Sequence, residues 1–213
     1  PFGHAGEAGI SDFFEHFEGK QFLIDNLTEK EWGDISNFEG NAQGFRLLNK
    51  SKSQGLRLSS ATLGAFTKYP RESSLNPVDK SKKSQKKYGI LQGNIGEFES
   101  AADYLGLKFL GNNNNKLWCR HPLAFLVEAA DDICYTIIDL EDGTNLGWLS
   151  FEESMALLGG VIGENFQPDK LNKYSSLAEK TGLLRALAIN ELTRQVVEKF
   201  LEKEEEMLLA GFD

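Results

Sequence analysis

Asp131, Tyr135 and Asp139 fall at i, i+4 and i+8 in the stretch RHPLAFLVEAADDICYTIIDLEDG, residues 120–143. At about 100° per residue that spacing puts all three on one face of a helix. Two carboxylates and a phenol in one row can hold a cation, accept from hydroxyl groups or flank a ring. Asp132, one step round, points elsewhere and reads as a structural or solvent-side residue. A second pair lies at the start of the chain, where His4 and Glu7 are neighbours on one helical turn. A third feature is basic. Residues 68–88 carry seven Lys or Arg against two acidic residues, in a chain whose net charge is −9. A cationic island in an acidic protein concentrates attraction on a compact polyanion.

The elements that must position these groups are helical. Pro122 suits a first helical turn, where its missing N–H costs nothing, and nothing breaks the pattern before Leu140. Leu126, Val127, Ile133, Cys134, Ile137 and Ile138 cover much of the remaining girth, so this helix is expected to be buried, with Cys134 acting as a small apolar residue. Its carboxylates would then need a metal, a cation or a narrow path to solvent. Ser150 to Glu153 and Ser176 to Glu179 both have capping-box spacing. The first opens a helix expected to stop at Gly159-Gly160. The second opens a long helix with Leu184, Ala188, Leu192, Val196 and Phe200 every four residues, ending in the acidic, solvated stretch 202–206. Residues 37–49 and 97–105 read as helices, 144–149 as the single candidate strand, and 72–84 and 111–115 as loops. The fold class is all-α.

Composition narrows the function. The acidic balance disfavours nucleic acid and anionic membranes, and the longest apolar runs, such as residues 123–127, fall far short of the roughly 20 residues that span a bilayer. Two cysteines, Cys119 and Cys134, make no disulfide framework. A soluble, cytoplasmic protein is expected. His16, inside the aromatic run Phe13-Phe14-Glu15-His16-Phe17, is expected to be packed, and His121 to be structural.

Five blocks, in order, resemble the deoxyguanosine triphosphate triphosphohydrolases (dGTPases) of the HD-domain superfamily. Residues 1–7, PFGHAGE, look like the family's PFGHxGE segment. Residues 37–46, NFEGNAQGFR, resemble its FEGNAQG helix, and TKYPR at 67–71 and KKYG at 86–89 resemble two more blocks. The stretch 120–143 is the fifth. The resemblance implies an HD-type helical domain over residues 1–165 and a helical C-terminal extension over 166–213. It implies hydrolysis of dGTP or another dNTP to the deoxynucleoside and inorganic triphosphate, with a divalent metal, Mg or Mn, as cofactor.

Residue by residue, the resemblance implies that Asp131 is a metal ligand and that His4 and Glu7 are the catalytic pair beside the α-phosphate, the carboxylate fixing the imidazole. Lys68, Tyr69 and Lys87 would contact phosphates, Asn41 and Gln43 would line the pocket, and Tyr135 and Asp139 would meet the deoxyribose. A Tyr ring against C2′ would leave little space for a ribose hydroxyl. The family's first His and its His-Asp dipeptide precede the PFGHxGE segment, so this chain, opening at Pro1, is expected to be a portion of a longer protein. The rival expectation is a truncated module that binds nucleotide or scaffolds an oligomer without chemistry. Ring-like homo-oligomers are a further implication, with the Leu184 to Phe200 stripe serving either chain packing or a subunit contact.

Overall fold

The computed structural model describes residues 3–50, 56–73, 79 and 81–212. Among them the chain is all-helical: four isolated bridges occur, but no strand. No helix among them is long and apolar enough to cross a membrane. The chain forms two compact units, the first Pro1–Phe125 with Glu205–Asp213, the second Leu126–Glu204.

In the first unit, α1 (Gly3–His16), α2 (Lys20–Asn26) and α3 (Glu29–Ser36) pack on one another. Thr28 and Glu31 form a reciprocal capping box that starts α3. The core lies beyond them, where α4 (Gly40–Leu48), α5 (Ser60–Phe66) and α6 (Ile95–Leu105) bury Phe45, Leu63, Ile90, Phe98, Ala102 and Trp118. Phe98 meets Phe45 and Trp118 edge to face, at 5.6 and 5.1 Å between ring centres. Fully burying each such ring contributes roughly 1.5–3 kcal/mol, enough to fix the helix that carries Asn41 and Gln43.

In the second unit, α7 (Pro122–Asn145, which begins in the first), α8 (Phe151–Ile162) and α9 (Leu177–Glu202) enclose Ile137, Leu158, Ile162, Leu171, Leu184 and Ala188. Both serine capping boxes are present, at Ser150 and Ser176. Buried Thr144 and Ser154 hydrogen-bond to each other and tie α7 to α8. Leu184, Ala188 and Leu192 belong to this core, so that part of the stripe packs within the chain.

Several local expectations are corrected. Residues 144–149 form no strand: Thr144 and Asn145 end α7, and a turn follows in which Trp148 and Leu149 donate to the Gly143 carbonyl. Helix α8 runs through Gly159-Gly160 to Gly163 (φ +66°), a backbone state that costs glycine little. Gly159 is instead a packing residue, since a Cβ there would lie 2.7 Å from the Phe166 ring. Helix α4 starts at Gly40 rather than Asn37. His16 is exposed, its Nδ1 against the Asp12 carbonyl. Loop 111–115 is a tight turn closed by Asn112 and Asn115; much of 72–84 lies outside the described residues, and Lys83–Gln85 forms a 3-10 turn.

Candidate active site

The first unit gathers most of the residues singled out from sequence. Thr67 ends α5 with its hydroxyl donating to the Leu63 carbonyl at 2.8 Å, and the chain then bends at Lys68 and Tyr69 before Pro70. A second segment, Lys87 to Ile90, lies against it. The Gly89 and Ile90 N–H groups donate to the Arg71 carbonyl at 3.1 and 3.2 Å, and Arg71 Nε donates to the Lys87 carbonyl at 2.6 Å. Only glycine fits at position 89, because a Cβ there would sit 2.5 Å from the Tyr69 carbonyl oxygen. Two family-like blocks far apart in sequence are thereby strapped together. Arg120 adds a bond from Nε to the Lys68 carbonyl at 2.9 Å.

A charged network sits beside that strap. Glu7 on α1 accepts from the Gly40 N–H at 3.0 Å and from Lys87 Nζ at 3.2 Å. Lys87 also reaches Glu39, 3.3 Å from its Oε2. Glu39 caps α4, accepting from the Asn41 backbone N–H at 3.2 Å and from Asn41 Nδ2 at 2.7 Å. Two carboxylates thus meet the N-terminus of α4, where unpaired N–H groups and the helix dipole favour negative charge. Burial pulls the Lys87 ammonium down, but Glu39 and Glu7 together hold it above its ordinary value. Burial, with Asp34 and Glu39 nearby, pushes the neighbouring Tyr88 phenol up.

The structure therefore joins Glu7, Asn41 and Lys87, with Lys68 and Tyr69 half-buried on the adjoining strap. It does not join His4 to Glu7: His4 is exposed, and Glu7 turns to Gly40 and Lys87. Gln43 accepts from Arg46 Nε at 2.8 Å. Glu39 is absent from the sequence-derived set. Glutamate is not among the favoured capping types, so local pattern carried no signal for it. His121 opens α7 by accepting the Leu123 N–H on Nδ1 at 3.2 Å, a structural task.

In the second unit, Asp131, Tyr135 and Asp139 share one face of α7, as their spacing requires. That face is open: both aspartates are exposed and Tyr135 is 68% exposed. The expected burial of the whole helix is corrected. Ile133, Ile137 and Leu140 serve the core, while Val127, Cys134 and Ile138 lie exposed around Asp131 and Tyr135. Asp139 also borders a shallow groove of about 700 Å³ with Asp142, Gly143, Leu146, Trp148 and Leu149. Among the described residues, no three His, Cys, Asp or Glu side chains converge on a point a metal ion could occupy. One carboxylate, Asp131, does not make a hard-cation site, so these residues alone do not fit the divalent metal that the resemblance implies.

Known proteins supply the remaining observation. No protein-family model matches the chain. Over its whole length, however, the chain is 41% identical to a deoxyguanosinetriphosphate triphosphohydrolase-like protein of Synechocystis sp., across 225 aligned positions. The chain belongs to the dGTPase-like protein family. A family member of the same description from Pseudomonas aeruginosa is 39% identical over 99% of the chain. A protein of Salmonella paratyphi A described as deoxyguanosinetriphosphate triphosphohydrolase is 27% identical over the whole chain. The chain spans about half the length of these dGTPase-like relatives, 49, 47 and 48% respectively.

Proposed function

We propose that the protein is a dNTP triphosphohydrolase, converting dGTP or another dNTP to the deoxynucleoside and inorganic triphosphate. The observation that carries this is 41% identity over the entire chain to a dGTPase-like protein, with the motif blocks strapped together in the first unit. In the reaction a water oxygen bonds to the α-phosphorus as the bond from that phosphorus to the 5′-oxygen breaks. One proton leaves the water, and one reaches the 5′-oxygen.

Each residue takes a role within that chemistry. His4 supplies the proton at the 5′-oxygen and Glu7 is the carboxylate of the pair. His4 is exposed, open to a substrate. Lys68, Tyr69 and Lys87 hold phosphate oxygens, and Asn41 and Gln43 line the pocket. Tyr135 stands against C2′ of the sugar, and Asp139 accepts from the 3′-hydroxyl. In the intact protein a divalent cation, Mg or Mn, would supply the Lewis acid, with Asp131 one ligand. The HD-type domain is proposed over 1–165 and the helical extension over 166–213, a boundary of ancestry rather than of compactness. A homo-oligomer is part of the same proposal.

Steady-state kinetics with dGTP and GTP on the intact protein test the sugar assignments. Asp139 and Tyr135 are exposed, so their substitution should leave the fold intact. Asp139→Ala should lower kcat/KM for dGTP roughly ten- to a hundred-fold, the loss of a hydrogen bond to a charged group. Tyr135→Ala should admit GTP. Wild-type kinetics in both variants would return these residues to the surface.

A further inference from the structure

We infer that Glu39 is a positioning residue that holds the Asn41 amide and the Lys87 ammonium in place for one ligand. This rests on the nucleotide reading above and deepens it.

An asparagine side chain has two chemically distinct ends. One N–H of Asn41 Nδ2 is committed to Glu39 at 2.7 Å, which sets the amide and leaves Oδ1 and the second N–H for a ligand. Asn41 is half-buried, so these atoms can meet one.

Lys87 is set by the same carboxylate. An ammonium carries three N–H bonds. Glu7 takes one at 3.2 Å and Glu39 another at 3.4 Å, leaving one unspent on a side chain that is 28% exposed. The two carboxylates fix the ammonium between them and leave that N–H for a ligand. Glu39, whose side chain is only 7% exposed, is the group common to both settings. Its remaining contact, from the Asn41 backbone N–H, anchors it to the first turn of α4.

Glu39→Asp and Glu39→Gln separate positioning from simple capping. Aspartate is a favoured cap and keeps the charge, but it is one methylene too short to hold Asn41 Nδ2 and Lys87 Nζ together. Glutamine keeps the length, loses the charge and offers an NH₂ to partners that are themselves donors. The readouts on the intact protein are calorimetric affinity for dGTP and for inorganic triphosphate, KM and kcat, the Asn41 side-chain amide resonances, and thermal midpoint. Both variants should weaken dGTP about tenfold, the worth of one lost hydrogen bond, in KM rather than kcat. The Asn41 resonances should move in both variants, while Glu39→Asp melts like wild type. If Glu39→Asp binds both ligands like wild type and only Glu39→Gln loses stability, Glu39 is a cap and the inference is wrong. An intact wild-type protein that binds neither ligand overturns the nucleotide reading itself, and this inference with it.

Discussion

Glu7, on the first helix of the chain, accepts the backbone N–H of Gly40, the first residue of α4, at 3.0 Å. That bond joins the block carrying His4 to the block carrying Asn41 and Gln43. A carboxylate at a helix N-terminus is worth about 0.3–1 kcal/mol on its own, and Lys87 adds an ion pair from a third block. Glu7 thus has a structural task before any catalytic one, so substitutions that move it should be judged on fold and activity separately.

Gly40→Ala should separate the two. A Cβ at position 40 would lie 2.7 Å from Glu7 Oε1. That oxygen ends a flexible side chain and can swing aside, so stability should drop by less than about 1 kcal/mol. The displaced carboxylate leaves Lys87 without one partner and shifts the proposed catalytic Glu7, and an error of an ångström there can cost up to about a hundredfold. Thermal melting with kcat on the same preparation checks this: a near-wild-type melt with a large loss of rate is expected.

Gly89→Ala should behave in the opposite way. Here the obstacle is the Tyr69 carbonyl oxygen at 2.5 Å, which is backbone and cannot rotate away. Forcing the strap apart should cost about 1–3 kcal/mol. It should also disturb the bonds from Gly89 and Ile90 to Arg71. A lowered thermal midpoint, with faster amide exchange at Gly89 and Ile90, is the expected outcome; an unchanged midpoint would mean the strap carries no strain.

Glu191 predicts an acid-dependent stability in the second unit. Arg194 grips its carboxylate from two nitrogens, at 2.6 and 3.1 Å, and Gln195 adds a third bond at 2.8 Å. Hydrogen bonds from Arg194, then Gln195, push Glu191 down to about 2 from an ordinary 4.5. The unfolded chain therefore takes up this proton first as pH falls. The stabilisation is present above pH about 4.5 and is lost as pH drops toward 2. Thermal midpoints of wild type and Glu191→Gln should differ at neutral pH and converge near pH 2. A gap that stays constant with pH would contradict the assignment.

What was legible in the sequence divides along physical lines. The capping boxes at Ser150 and Ser176 could be read because the serine, the glutamate and their spacing all lie within one turn. The shared face of Asp131, Tyr135 and Asp139 could be read because helical geometry fixes it. Exposure could not. Apolar residues such as Val127, Cys134 and Ile138 made α7 read as buried all round, yet only the opposite face, through Ile133, Ile137 and Leu140, meets a partner in the second unit. Glu39 went unseen because its importance comes from Lys87, which reaches it from a distant part of the chain. Gly159 read as a helix stop because the Phe166 ring that presses on it cannot be seen in local pattern.

The most direct test of the proposed chemistry is to run the intact protein on dGTP in ¹⁸O-labelled water and identify the products. Attack of water on the α-phosphorus predicts deoxyguanosine and inorganic triphosphate in equal amounts, with the label on the triphosphate and none on the nucleoside. Orthophosphate or pyrophosphate as the first product, label in deoxyguanosine, or no turnover in the presence of Mg or Mn would contradict it.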